Sequence, residues 1–290
     1  MKLVVAIATL GRSKQIALLL SYLERQSRRP DEVVISAPDA THVELPERTS
    51  FPVSVVFGPK GSSAQRNTAL DHSLSRFDIV TFFDDDFVPA VDYLERIEAA
   101  FAAHPEWSVV MGNVVADGAT NAGLTWPDAL AAIVRAEAQR PSEPEIVHHI
   151  GAYGCNMSVR AAMVGDIRFD ERLVLYGWQE DIDFTSQLRR HGPVIQVSTI
   201  LGVHLGLKSG RVSGERFGYS QVVNPVYLIR KGTVPPTFAL PLMIRNLAAN
   251  FTKSLWPEPY IDRRGRLRGN LLGLVHVLMG RINPEHVLRL

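Results

Sequence analysis

Apolar positions in the first hundred residues come in short unbroken runs, separated by stretches in which they recur at helical spacing. Leu3–Ala8 is one such run, the pattern of a parallel strand covered on both faces. The turn Thr9-Leu10-Gly11-Arg12-Ser13 follows, and Ile16, Leu19, Leu20 and Leu23 then predict a helix, closed by Pro30-Asp31. Residues 32–36 and Val53–Phe57 read as the next strands. After the turn Gly58-Pro59-Lys60-Gly61, Ser62 or Ser63 is placed to cap a helix carrying Arg66, Asn67 and Leu70. Residues 78–83 form a further strand, Asp92 and Glu95 have capping-box spacing, and residues 107–111 form another. Strands interleaved with helices predict an α/β fold with a doubly wound sheet, whose ligands bind at the carboxyl ends of the strands.

Beyond residue 112 the pattern loosens. Ala129, Ile133 and Val134 mark a helix, the polar residues 139–145 a surface loop, and residues 151–159 a turn-rich segment. His148-His149 are expected in a loop and not as a metal pair, since adjacent histidines diverge on most backbones. A helix is expected from about Glu180 to Gly192-Pro193, then a strand over residues 194–200 with Gly202-Val203-His204 after it. The tail differs again. Phe238, Leu240, Leu242, Ile244, Leu247 and Phe251 are mixed with Arg245 and Lys253, and the cluster Arg263-Arg264-Gly265-Arg266-Leu267-Arg268 leads into an apolar run over residues 271–279. That run is below the ~18 residues needed to span a bilayer. It suits either a helix lying on an anionic membrane surface or one packed on the main domain.

Charge sharpens the division. Residues 1–200 hold 18 Lys and Arg against 26 Asp and Glu, a net −8, whereas residues 201–290 hold 13 against 4, a net +9. The single cysteine, Cys155, cannot form an internal disulfide, which suits a reducing compartment and a packing role. Residues 1–8 superficially resemble a signal peptide, but the apolar stretch is very short and Arg12 and Lys14 follow, so a buried first strand is expected.

The candidate chemistry is acidic. Asp84-Asp85-Asp86 ends the strand Ile79-Val80-Thr81-Phe82-Phe83, a like-charge cluster that a divalent cation bridging to a diphosphate would relieve. A helix N-terminus or an acidic surface loop is the plainer explanation of the triplet alone. Trp178-Gln179-Glu180-Asp181-Ile182-Asp183 is a second cluster, able to supply a proton acceptor, although acidic residues in a first helical turn are common.

Four segments together resemble the inverting GT-A glycosyltransferases of family 2, over about residues 3–205. They are Ala8-Thr9-Leu10-Gly11-Arg12; Gly61-Ser62-Ser63-Ala64-Gln65-Arg66-Asn67; Phe82-Phe83-Asp84-Asp85-Asp86; and Gly154-Cys155-Asn156-Met157-Ser158-Val159-Arg160 with Phe169-Asp170-Glu171 and residues 177–183. The resemblance implies a Rossmann-like, mostly parallel central sheet with a helical C-terminal extension. It divides the chain into a nucleotide-sugar-binding half (1–115), an acceptor-binding half (116–220) and a basic, amphipathic helical extension (221–290). By the same resemblance Thr9, Arg12, Arg66, Asp84 and Asp85 meet the nucleotide. Asp86 ligates Mn2+ or Mg2+, with Asp84 and His204 beside it. His204, taken alone, is also an ordinary surface or core histidine. Asp181 is the general base, and Asn156, Trp178 and Glu180 shape the acceptor site.

Relatives usually carry an aspartate immediately after the second strand to contact the base. Here Ser36-Ala37-Pro38 takes that place and Asp39 comes slightly later. Either the loop shifts to present Asp39 to the nucleotide or base recognition differs, so a UDP-sugar is only loosely favoured as donor and dTDP- and GDP-sugars stay open. The implied activity is sugar transfer to a hydroxyl of a glycan or lipid-linked glycan in surface polysaccharide synthesis, cytoplasmic, either free or resting on the membrane's inner face, with no nucleic-acid partner. A nucleotidyltransferase would instead show a Gly-rich loop with Lys or Arg after the first strand, and Thr9-Leu10-Gly11-Arg12 is sparse for that. A non-catalytic glycan- or membrane-binding module gives no reason for Asp181 to accompany the aspartate triplet.

Overall fold

The computed structural model describes residues 1–208 and 213–290. Its centre is a nine-stranded sheet in the order β3-β2-β1-β4-β8-β6-β9-β5, with β7 also paired to β9. The strands are β1 (Leu3–Ala8), β2 (Glu32–Ala37), β3 (Val53–Phe57), β4 (Ile79–Asp84), β5 (Phe87–Pro89), β6 (Val109–Asp117), β7 (Ile146–His149), β8 (Met157–Arg160) and β9 (Val194–His204). β1–β4, β6 and β9 run in one direction, and β5, β7 and β8 oppose them. This is the mostly parallel sheet expected of a GT-A fold.

Burial on both faces explains the unbroken apolar runs. From β1, Leu3, Val5 and Ile7 pack with Ile16, Leu19 and Leu23 of α1 (Ser13–Leu23), while Val4 and Ala6 point the other way, towards Ala69 and Leu70 of α2 (Ser62–Ser73). Each such side chain contributes about 1.5–3 kcal/mol by leaving water. Register then aligns the strand ends: Ala8 pairs with both Ser36 and Asp84, so Thr9, Ala37 and Asp85 emerge side by side.

Several local details differ from the expectation. Neither Ser62 nor Ser63 caps α2: Gly61 occupies that position, and the Ser63 hydroxyl donates to the Leu173 carbonyl. Asp92 precedes α3 (Tyr93–Ala103) without capping it, because its carboxylate is taken by Arg96 and Arg140. His148 and His149 lie on β7, held by antiparallel pairing with β9. The helix at the second acidic cluster, α5 (Glu180–Leu188), stops short of Gly192. β6 runs through residue 115 and a later helix through residue 220, so neither division of the chain falls at an element boundary.

α4 (Trp126–Ala138) covers β9, and three helices form the tail: α6 (Gly214–Lys231), α7 (Pro236–Lys253) and α8 (Arg263–Leu278). The tail packs on the sheet domain. Leu228, Val234 and Ala239 bury Leu173, and Lys231 reaches Asp170 and Asp183, both at 2.7 Å. Between the helices lies a buried polar knot: Asn250 donates to Gln221 and Asn270, and Arg263 donates to Asn250. Part of the basic cluster is thereby turned inward. Arg263 is buried and paired with Glu258, and Arg266 stacks over Phe217, while Arg264 and Arg268 stay exposed. Among the described residues no helix is long and apolar enough to cross a membrane.

Candidate active site

The carboxyl ends of β1 and β4 open into a cavity of about 860 Å³, within the range of small-ligand sites. β4 delivers Asp84 at its last position, and the next two residues turn inward. Asp85 accepts from the Thr9 hydroxyl (2.8 Å) and from Arg12 (2.7 Å), so the β1 turn is tied to the triplet. Asp86 accepts from the backbone N–H of Leu207 (2.8 Å) and lies 3.4 Å from the Nε2 of His204.

His204 reaches this place through the ladder. It ends β9, between β5 and β6, with Phe87 and Asp117 as its register partners. Its Nε2 faces Asp86 and Asp84, and its Nδ1 lies 2.9 Å from Asp117 and 3.0 Å from the Tyr153 hydroxyl. Tyr153 in turn donates to the other Asp117 oxygen (3.1 Å). Burial alone would lower this histidine, but hydrogen bonds to Asp117 and Asp86 and their charges push it up to about 10. Burial also works against ionising Asp86, yet His204, Arg12 and the Leu207 N–H hold it below the usual carboxylate range.

One ligand atom each from Asp84, Asp86 and His204 lies within 4.8 Å of the others. Two carboxylates and an imidazole suit a hard or borderline divalent ion. The fit is supported by the far side of the ring, where Asp117 at Nδ1 leaves Nε2 directed at the two carboxylates.

The second acidic cluster faces the same cavity. Arg66, fully buried on α2, joins the two: one nitrogen donates to Glu180 (2.5 Å) and the other to Asp84 (2.8 Å) and to the Gly154 carbonyl (3.3 Å). Its guanidinium is held charged because Glu180, Asp84 and Asp181 outweigh its burial. Three carboxyls around one cation leave Glu180 short of compensation, and burial pushes it up to about 8. Asp181 is also raised by burial, opposed by Arg66 and by the backbone N–H groups of Gly154 (2.7 Å) and Ile182 (2.8 Å). A Cβ added at Gly154 would lie 3.0 Å from both Arg66 and Asp181, so either side chain would have to give slightly. Asp183 points away, to Lys231 and Thr233.

The structure therefore gathers Thr9, Arg12, Arg66, Asp84, Asp85, Trp178, Glu180 and Asp181 on the cavity wall, with Asp86 and His204 at its edge. Two expected residues lie elsewhere. Asp39 is exposed and caps the short turn Ala40–His42, its oxygen accepting from Thr41. Asn156 is fully buried beneath the sheet, donating to Gly112. Cys155 is a buried packing residue.

The model for glycosyl transferase family 2 matches residues 4–162. The chain belongs to that family. No curated protein matches. Among solved structures, S. aureus TarS is similar at 20% identity and a TM-score of 0.51, covering 78% of this chain and 39% of that one. The chain thus spans well under half of full-length TarS. TarS 1-349 in complex with UDP-GlcNAc aligns over 97% of this chain and 83% of that one (18% identity, TM-score 0.56). The mannosyltransferase PcManGT from Pyrobaculum calidifontis, in complex with GDP-Man and Mn2+, aligns over 99% and 78% (15% identity, TM-score 0.50). These likenesses establish the shared fold.

Several residues of this family 2 site carry no signal in the sequence. Asp117 and Tyr153 belong to no motif, and only strand pairing brings them to His204. Ser62 Oγ, Trp178 Nε1 and both amide atoms of Gln179 are buried at the cavity without a hydrogen-bond partner among the described residues. Gln179 also has φ 74°, which is strained for a non-glycine residue.

Proposed function

We propose that this protein is a metal-dependent inverting glycosyltransferase, moving a sugar from a nucleoside-diphosphate sugar to a hydroxyl of a glycan or lipid-linked glycan in surface polysaccharide synthesis. A UDP-sugar is the favoured donor, and TarS, solved with UDP-GlcNAc, is a fold relative consistent with that choice. The observation that carries the reading is the pairing of two unlike acidic sites around one cavity. Asp84, Asp86 and His204 can share a cation, and Asp181 faces the same space without a cation partner as close as those of its neighbours.

Asp84, Asp86 and His204 would hold Mn2+ or Mg2+, ions that carboxylate oxygens suit. When bound, the ion neutralises charge building on the departing diphosphate. Thr9 and Arg12, braced by Asp85, line the nucleotide side. Trp178 would line the acceptor side, its ring a platform for a sugar. Asp181 takes the proton from the acceptor hydroxyl as its oxygen bonds to the anomeric carbon. The bond to the diphosphate oxygen breaks and its electron pair leaves with the diphosphate. Burial raises Asp181 and so strengthens it as a base, while its two backbone N–H partners fix its direction. Glu180, drawn to Arg66, orients that cation and shapes the acceptor side.

Incubating the purified protein with Mn2+ and a panel of nucleotide sugars and glycan acceptors tests this directly. A product whose anomeric configuration, read by NMR, is opposite to the donor's supports the reading; a product of retained configuration overturns the single displacement.

A further inference from the structure

Large apolar side chains are scattered singly over the sheet domain, but in the tail they line up. On α7, Ile244 and Phe251 lie seven residues apart on one helix face, and Leu255-Trp256 extend it; Phe251 is 66% and Trp256 82% exposed. On α8, Leu271, Val275 and Leu278 follow at spacings of four and three, with Leu278 86% exposed. Continuing that α8 line backwards by three and then four residues reaches Arg268 and Arg264, both exposed. A helix in water normally turns such a stripe inward. Here the inward faces of both helices are already filled by the polar knot and the domain contacts.

We propose that the outward faces of α7 and α8 are a docking face for an anionic lipid bilayer. Charge decides the occupant. Exposed Arg245, Arg264 and Arg268 border the stripes. A two-fold dimer through this face would set one positive surface against an equal one, whereas acidic headgroups satisfy the arginines as acyl chains cover Phe251 and Leu278. Trp256 suits the headgroup layer, where an apolar ring keeps a polar edge in water.

Position gives the surface a use, which rests on the glycosyltransferase reading. Phe238 and Leu242 of α7 line the cavity, and positions two residues along a helix point to opposite sides, so Leu240 and Ile244 face outward. The docking stripe then lies about one helix diameter, ~10–12 Å, from the cavity wall. An acceptor carried on a lipid would be held within reach of Asp181.

Sedimentation of the full chain with phosphatidylglycerol-containing and pure phosphatidylcholine vesicles, without any nucleotide sugar, tests the surface independently of catalysis. Strong partition into the anionic vesicles, with a blue shift of tryptophan emission that Trp256→Phe removes, is expected. Phe251→Ser with Trp256→Ser should weaken partition by roughly tenfold or more, and Arg264→Glu with Arg268→Glu by a similar factor. Unchanged nucleoside-diphosphate affinity and thermal midpoint in these variants show that fold and site are intact. No partition into anionic vesicles, equal partition into neutral ones, or a concentration-dependent dimer that Phe251→Ser with Trp256→Ser dissolves would overturn the proposal.

Discussion

The carboxylates of residues 84–86 and those of residues 180–183 border one cavity, yet they are compensated in different ways. In the first cluster each carboxylate has its own partner: Asp84 has Arg66, Asp85 has Thr9 and Arg12, and Asp86 has His204 and a backbone N–H. The second is uneven. Glu180 leans on Arg66, Asp183 is drawn off to Lys231 and Thr233, and the oxygens of Asp181 accept from backbone N–H groups. Hydrogen bonds from either kind of donor favour the charged form and burial opposes it: burial wins at Asp181 over Arg66 and two backbone N–H groups, whereas His204 and Arg12 hold Asp86 low. Similar residues thus group two carboxylates and an imidazole on one side of the cavity and leave Asp181 without a close side-chain cation on the other, with Arg66 fastened to both clusters.

Breaking either half should have its own signature. Replacing the base has the largest effect: Asp181→Asn should lower the turnover number by about 10²–10⁴-fold, checked by steady-state kinetics with saturating donor. Arg66→Met removes the link between the clusters and leaves Glu180 and Asp84 without their cation. It should cost about 3–5 kcal/mol of stability, read from urea midpoints. Glu180 itself gives a pH signature. Its pKa rises from an unfolded value near 4.5 to about 8 in the fold, so the folded state keeps a proton that the unfolded state releases between those values. Stability should therefore fall as pH rises through that window, by on the order of a few kcal/mol. Glu180→Gln should flatten the slope when urea midpoints are compared at pH 5 and pH 8. The smallest effect is expected behind the cation site. Asp117→Ala frees His204 to rotate and should weaken Mn2+ affinity by about 10–100-fold, measured by calorimetric titration.

Elements with strong patterns were legible before folding. The runs at residues 3–8 and 79–83 are apolar because both sheet faces are covered, and Asp84, Asp86, Arg66 and Asp181 stand in motifs whose spacing survives in the fold. Legibility ended where placement depends on pairing between distant strands. Asp117 meets His204 across 87 residues because β6 and β9 are neighbours. Asn156 looked available for an acceptor, but the carbonyl of Gly112 needs its amide. Asp39 turned outward, its carboxylate accepting from Thr41 within its own turn. In the tail, α8 packs mainly on α6, leaving Leu271, Val275 and Leu278 with Arg264 and Arg268 exposed.

The most direct test of the two-site account is calorimetric titration of UDP, with Mn2+ present, into Asp86→Ala and Asp181→Asn. The account predicts that Asp86→Ala loses affinity by tenfold or more and that Asp181→Asn binds like the parent protein. Equal loss in both, or loss in Asp181→Asn alone, would contradict it.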